Sequence, residues 1–389
     1  MAETAFSEEK DCVIVATSTL ELGIDVGDLD RVIQIDAPST VSSFLQRMGR
    51  TGRRDGSRRN CLFLTTNDNA FLLALGIAQR WSEAWVEAAI PPAAPWPIVA
   101  QQAMAVTLER GELPTHELVA LLKGSFPEID AIDIDSLVEH LVKLAFLDRS
   151  EAIVRVGQRT EQEFGGAHYR DLLASFSGSL LLTGRHGSAE VGYIDPTVLT
   201  GEQEKRLILL AGRSWRVTSI EWAKKTVWLE PAKEGGKARW TGSARSLSRQ
   251  VCRGIRTVLA SGPPTSVSLS QRATVALQFL RDDLCISVGA DFLASRPEGA
   301  AVRTWTFEGT RANRTYARHA SVGGEKVRYD ALSVQAPASV LTAATIDASS
   351  LTDDEIAEYG KAMKFSGCLP RDLLSETIVA RVFETRDAH

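Results

Sequence analysis

The sequence predicts a multidomain chain of α/β plus α+β class, and three observations predict it. Short apolar runs alternate with helical stretches at the start, helices closed by a hairpin follow, and the remainder turns to short strands broken by a few helices. At 389 residues the chain is also too long for one ordinary core.

The elements justify this in order. Cys12-Val13-Ile14-Val15-Ala16 reads as a buried parallel strand running into the polar Thr17-Ser18, and Arg31 to Asp36 repeats the pattern. Thr40 to Met48 is helical, entered through Pro38-Ser39-Thr40 with a hydroxyl N-cap, and Asn60 to Thr65 is a third strand. Strands alternating with helices predict an open parallel sheet over residues 1–90. The proline-rich stretch 91–97 breaks any helix and reads as a semi-rigid linker.

Helical spacing then recurs at Ile98–Leu108, Thr115–Leu122 and Ser136–Ala145, closed by a hairpin of Phe146-Leu147 with Ile153–Val156. Three short helices and a hairpin are the pattern of a winged helix, expected over residues 98–168. Residues 169–389 form the last expected domain. Its strands are Ser179–Thr183, Ala189–Ile194, Trp215–Glu221, Thr226–Glu230 and Val302–Glu308, and its helices Ser246–Leu259, Arg272–Asp282 and Asp353–Met363.

Composition excludes several classes. A content of 44% hydrophobic and 24% charged residues is that of an ordinary globular protein, and a net charge of -5 argues against a uniformly basic surface but not against a local basic groove. The five cysteines are scattered, without C-x-x-C spacing, so neither a disulfide framework nor a metal site is expected. The N-terminus lacks the shape of a signal peptide and no apolar run could span a membrane, which makes the cytoplasm the expected location.

Two polar blocks carry the chemistry. One is Ala16-Thr17-Ser18-Thr19-Leu20-Glu21-Leu22-Gly23-Ile24-Asp25, where a strand hands the chain to a helix N-terminus whose free N–H groups favour anions. The other is Gln46-Arg47-Met48-Gly49-Arg50-Thr51-Gly52-Arg53-Arg54. Alone, the first reads as an N-cap and a turn, and the six arginines between 47 and 59 as a solvated basic face. Together they resemble motifs V and VI of superfamily 2 helicases and translocases, which sit on the second of two RecA-like domains.

That resemblance implies roles residue by residue. Arg50 and Arg53 match arginine fingers: guanidinium groups are always charged, grip phosphate bidentately and, three residues apart beside a helix, project toward one ligand. Fingers of this kind are worth roughly 10³ to 10⁵ in rate. Gln46 and Arg47 would hold the motif against the nucleotide or motif V; Gly23 and Asp25 match positions near the nucleotide. Thr17 and Ser18 match contacts to the nucleic-acid backbone, which position a strand without reading its sequence. Arg54, Arg58 and Arg59 read equally well as a solvated or a phosphate-contacting surface.

Further blocks narrow the resemblance to the Lhr (large helicase-related) family: Leu20 to Asp30, Ile98 to Gln102, Leu210 to Val217, and Thr304 to Asn313. The similarity covers nearly the whole chain. It implies an ATP-dependent 3′-to-5′ single-stranded-DNA translocase and helicase of DNA repair, with an RNA–DNA hybrid preference in some members. It also implies a core of two RecA-like domains, a winged helix and a β-barrel-containing domain. This chain begins just before motif V and contains no G-x-x-x-x-G-K-[ST] loop or magnesium-holding acidic run. ATP and magnesium are therefore expected only if a first RecA-like domain is supplied, by a separate polypeptide for example. The glycosylase activity of some larger members is not assigned.

In the expected barrel region, Trp215, Trp222, Trp228 and Trp240 alternate with basic residues, a pattern suited to stacking bases while tracking phosphates. Trp215, flanked by Arg213 and Arg216, is the stacking candidate against the alternative of core packing. Two readings remain: the C-terminal part of an Lhr-type motor, inactive alone, or a stand-alone nucleic-acid-binding adaptor derived from one.

Overall fold

The computed structural model describes residues 29–53, 56–173, 182–194, 207–210, 213–232, 246–284, 294–299, 301–321, 327–337 and 346–384, with isolated positions 13, 15 and 199. The expected strand at 12–16 therefore lies outside the described residues, Val13 and Val15 apart. The fold is mixed α/β, with both parallel and antiparallel sheets. It divides into two compact units: residues 1–94, 246–351 and 375–389 make one, and residues 95–245 and 352–374 the other. These units cut across the domain limits expected from sequence.

The first unit opens with strand β1, Val32–Ile35, helix α1, Val41–Met48, strand β2, Cys61–Leu64, and helix α2, Asp68–Ser82. β1 and β2 pair in parallel, Val32 opposite Cys61 through Ile35 opposite Leu64. Thr40 caps α1 as its sequence predicts, its side chain accepting from the Ser43 N–H. The Glu87 carboxylate satisfies two more free amides at that end, accepting from Val41 N–H at 2.8 Å and Ser42 N–H at 2.9 Å. Phe44 of α1 packs against Phe63 of β2 and the edge of Trp81 of α2.

The second unit begins at helix α3, Trp96–Arg110, two residues earlier than its spacing suggests, because Pro97 fits a first turn whose N–H groups have no partner anyway. Strand β3, Glu112–Pro114, and helices α4, Thr115–Ser125, and α5, Ala131–Lys143, follow. Strands β4, Leu147–Ser150, and β5, Ile153–Val156, complete an antiparallel sheet in the order β3-β5-β4. Leu118, Ile134, Leu137, Leu141, Phe146 and Val154 are all fully buried at its heart. Helix α6, Gln158–Phe164, is tied back through Thr160, whose hydroxyl donates to the Phe146 carbonyl at 2.6 Å.

Five strands follow in this unit: β6, Leu182–His186; β7, Ala189–Ile194; β8, Leu207–Leu210; β9, Arg213–Glu221; and β10, Thr226–Pro231. They form one sheet in the order β7-β6-β10-β9-β8, with β6 and β10 parallel and the other neighbours antiparallel. Its apolar side gathers Leu182, Ile194, Ile208, Trp215, Val227 and Leu229.

The chain then rejoins the first unit. Helices α7, Arg249–Ser261, and α8, Gln271–Leu284, precede strands β11, Ala294–Glu298, and β12, Ala301–Trp305. The strand expected to run to Glu308 stops at Trp305, because Phe307 takes a left-handed φ of 54° and turns the chain into helix α9, Gly309–Ala320. Strands β13, Arg328–Tyr329, and β14, Ser333–Ala336, finish a sheet in the order β11-β12-β14-β13. Helix α10, Asp353–Gly360, belongs to the second unit, and helix α11, Arg371–Val382, ends in the first.

What binds residues 246–261 to the opening sheet is a close helix crossing. Gly76 of α2 and Gly254 of α7 meet: a Cβ on Gly254 would lie 2.6 Å from the Gly76 carbonyl oxygen, and one on Gly76 2.4 Å from Ile255 Cγ1. Around that crossing Leu72, Leu75, Cys252, Ile255 and Val258 form a core, each buried side chain contributing roughly 1.5–3 kcal/mol. Burial pushes the Cys252 thiol up to about 12, so it behaves as a small apolar group.

Candidate functional site

The Gln46–Arg53 block sits where α1 ends. Gln46 is exposed on the last turn, while Arg47 turns inward and donates through Nη1 to Gln34 Oε1 at 2.8 Å. Gln34 is only 4% exposed, in the middle of β1, and its amide nitrogen reaches Cys61 Sγ on β2 at 3.9 Å. One buried amide thus couples the arginine helix to both strands. Burial raises the Cys61 pKa, with the Gln34 hydrogen bond and the Arg47 charge opposing.

Beyond the helix the chain is held by its own backbone. Thr51 is buried, its hydroxyl donating to the Met48 carbonyl at 2.8 Å and accepting from the Asn60 N–H at 3.0 Å. Gly52 has a φ of 69°, and a Cβ there would lie 2.7 Å from the Arg59 amide nitrogen, so this position requires glycine. Arg50 is half-buried and its carbonyl accepts from the Leu29 N–H; Arg53 is exposed, its Nε donating to the Gly49 carbonyl at 3.0 Å. Arg47, Arg50 and Arg53 are thereby brought onto one short stretch beside the parallel strands. Thr17, Ser18, Gly23 and Asp25, the other half of the expected site, lie outside the described residues.

The two faces of the β1–β2 pair differ sharply. Val32, Gln34, Cys61 and Phe63 turn toward α1 and α2, whereas Ile33, Ile35, Leu62 and Leu64 are 56%, 73%, 42% and 47% exposed. Parallel strands are ordinarily covered on both faces, and among the described residues this pair is covered on one.

In the second unit, Trp215 is a core residue, which corrects the expectation that it offers a stacking platform. It is 7% exposed, its indole N–H donates to the Leu210 carbonyl at 3.0 Å, and the His186 ring lies 5.5 Å away. The indole fills the sheet's apolar side, leaving no open face for a base. Its neighbours Arg213 and Arg216 are exposed. Seven residues on, Trp222 is 55% exposed at the turn between β9 and β10, next to Lys224, which pairs with Glu221 at 2.8 Å, and Lys225, in a left-handed turn conformation. Trp228 is half-buried and donates to Glu221 at 2.7 Å; Trp240 lies outside the described residues. Alternation along β9 separates Trp215 from the tip, a signal present in the sequence.

The Thr304–Asn313 block serves structure. Asn313 is fully buried, its Oδ1 accepting from the Thr306 hydroxyl at 2.5 Å and its Nδ2 donating to the Asp330 carbonyl at 2.8 Å. Arg311 donates to the carbonyls of Ala380 and Phe383 at the end of α11. Among the described residues no group of His, Cys, Asp and Glu could hold a metal ion, and no helix is long and apolar enough to cross a membrane.

Comparison with known proteins bears on this arrangement. A family model, the helicase conserved C-terminal domain, matches residues 1–55. The Lhr helicase/probable uracil glycosylase of Mycolicibacterium smegmatis is 28% identical over 254 residues, 59% of this chain and 16% of that protein. The Lhr helicase/uracil glycosylase of Escherichia coli is 28% identical over 253 residues, 61% of this chain and 16% of that one. Over about 60% of its length this chain is similar to the Lhr helicases. The Lhr fold extends further along it: the solved structure of Mycobacterium smegmatis helicase Lhr bound to ssDNA and AMP-PNP matches 93% of this chain and 50% of that one, with a TM-score of 0.53 at 18% identity. The chain thus spans half of the solved Lhr chain and a small part of the curated Lhr proteins' length.

Proposed function

We propose that this chain supplies the arginine-finger face and part of the nucleic-acid grip of an Lhr-type, ATP-dependent 3′-to-5′ single-strand translocase. The observation that carries this is the α1 terminus: Arg47 anchored to the strand pair, with Arg50 and Arg53 following on a backbone-fixed turn beside it. Arg50 and Arg53 act on a triphosphate cradled elsewhere, because the 389 residues contain no phosphate loop. That loop and its magnesium come from outside these residues, on a longer chain or a separate polypeptide. The three-helix unit with its β3-β5-β4 sheet is read as a winged helix, and the five-stranded sheet as part of the barrel domain.

Trp222, with Lys224 and Lys225, replaces Trp215 as the base-stacking position, with Arg213 and Arg216 toward phosphates. The likeness to a helicase solved with ssDNA and AMP-PNP supports the choice of ligand. The chain alone should bind a single strand but turn over no ATP. Adding an Lhr-type phosphate-loop domain should give DNA-stimulated hydrolysis that Arg53→Ala abolishes without altering strand binding. ATP turnover by the unaided chain, or hydrolysis indifferent to Arg53→Ala, sinks the proposal; strand binding with no gain from the added domain favours an adaptor.

A further inference from the structure

The sheet β11-β12-β14-β13 carries a feature unconnected with the helicase motifs. Its register sets Arg296 directly opposite Arg303, Arg303 opposite Gln335, and Gln335 opposite Arg328. Direct cross-strand partners share a face, so one polar side chain from each of four strands forms a single row. With neighbouring strands about 4.8 Å apart, the row runs for roughly 14 Å across the strands. The opposite face is spent on packing: Val334 and Ala336 are buried with Ala317 of α9.

Two like charges directly opposite each other destabilise a sheet unless something offsets them. Arg303 meets Glu298 at 3.0 Å, Arg296 reaches Asp283 at 3.5 Å, and both guanidinium groups lie within 6 Å of the Trp305 ring centroid. These contacts fix the two arginines in place without filling all their donors. At the far end Arg328 is exposed, and neither its side chain nor that of Gln335 has a hydrogen-bond or ion-pair partner among the described residues. An evenly spaced line of planar donors, three of the four cationic, complements a chain of phosphates rather than one isolated anion.

We infer that the row Arg296, Arg303, Gln335 and Arg328 binds the sugar-phosphate backbone of a single nucleic-acid strand lying across these four strands. The inference rests on the reading of the chain as a strand-binding protein and adds a second contact surface to it. The row would hold the strand by charge and stay indifferent to base identity.

The test is fluorescence anisotropy of the full chain with labelled oligo-dT and oligo-rU of about 12 nucleotides, titrated from about 50 mM salt upward. Arg328→Glu should weaken binding about tenfold and flatten the dependence of log K on log salt by about 0.7, the value of one lost phosphate contact on a single strand. Gln335→Lys should tighten binding about threefold and steepen the slope, a gain that misfolding cannot imitate. Those changes with both sugars support the row, whatever Trp222→Ala does. Unchanged affinity and slope in both variants, or a response confined to one sugar, overturn it; a loss with Trp222→Ala then leaves the hairpin-tip reading standing. A wild-type chain that binds neither oligonucleotide overturns both.

Discussion

Arginine crowds two segments of this chain, residues 47–59 and helix α9, and the fold uses the two sets differently. In α9, Arg311 gives its donors to the carbonyls of Ala380 and Phe383, Arg314 reaches Val382, and Arg318 bonds Ser350. The first two of these guanidinium groups close the last turn of α11, where carbonyls lack partners and cations are favoured. In the opening segment Arg47 is drawn into a buried contact through Gln34, while Arg53, Arg58 and Arg59 remain exposed. The lesson is that arginine density does not separate a ligand site from a structural clamp; how exposed each arginine stays does.

The contrast can be broken or sharpened by substitution, with urea denaturation as the measure. Arg311→Ala should cost about 3 kcal/mol, because charge-assisted bonds are lost and carbonyls are left open, and Arg311→Lys should not restore it, since one ammonium cannot reproduce the fork. Burial already holds the Arg311 pKa below its usual value, with Glu384 opposing. Gly52→Ala, which meets both a positive φ and a backbone clash, should cost about 2 kcal/mol. Gln34→Leu should cost about 1 kcal/mol and loosen Arg47. Arg53→Ala should stay within about 0.5 kcal/mol, and a larger loss would place Arg53 with the clamps.

The smallest effect concerns pH. Burial, then the charge of Lys143, lowers the His140 pKa, with Asp372 and the Leu369 backbone opposing. A folded-state value below the unfolded one means the contribution is full above the unfolded pKa of about 6.5 and is lost as pH falls through the folded value. Melting temperature should therefore drift down between neutral and mildly acidic pH, and His140→Gln should flatten the drift.

Much of the local structure was legible in the sequence. Thr40 caps α1 as its position suggests, β7 matches its run, and α7 follows its apolar spacing to within three residues at its start. Helix α9 was not legible, because a helix written Gly-Thr-Arg-Ala-Asn-Arg-Thr fixes itself through arginine and asparagine bonds to distant carbonyls and shows little apolar period. The packing of α2 on α7 was hidden for the converse reason: glycine permits close crossing yet carries no hydrophobic signal. Of the candidate site, the arginine turn was readable as a motif, whereas Gln34 was not singled out, although a lone amide amid Val32, Ile33 and Ile35 is a signal. Trp215 lies within β9 and Trp222 just past its end, a difference that a tally of aromatic and basic residues does not register.

The carboxylate of Glu87, seated on the first amides of α1, bears on how this protein can be dissected. The end of α2 at Ser82 is where secondary structure alone invites a cut, yet the residue that closes the entrance to α1 lies five positions further on. A piece trimmed at Ser82 would carry the whole arginine turn and still start its helix on open amides, with faster hydrogen exchange at Val41 and Ser42. The smallest faithful fragment of the opening region must therefore run past Glu87.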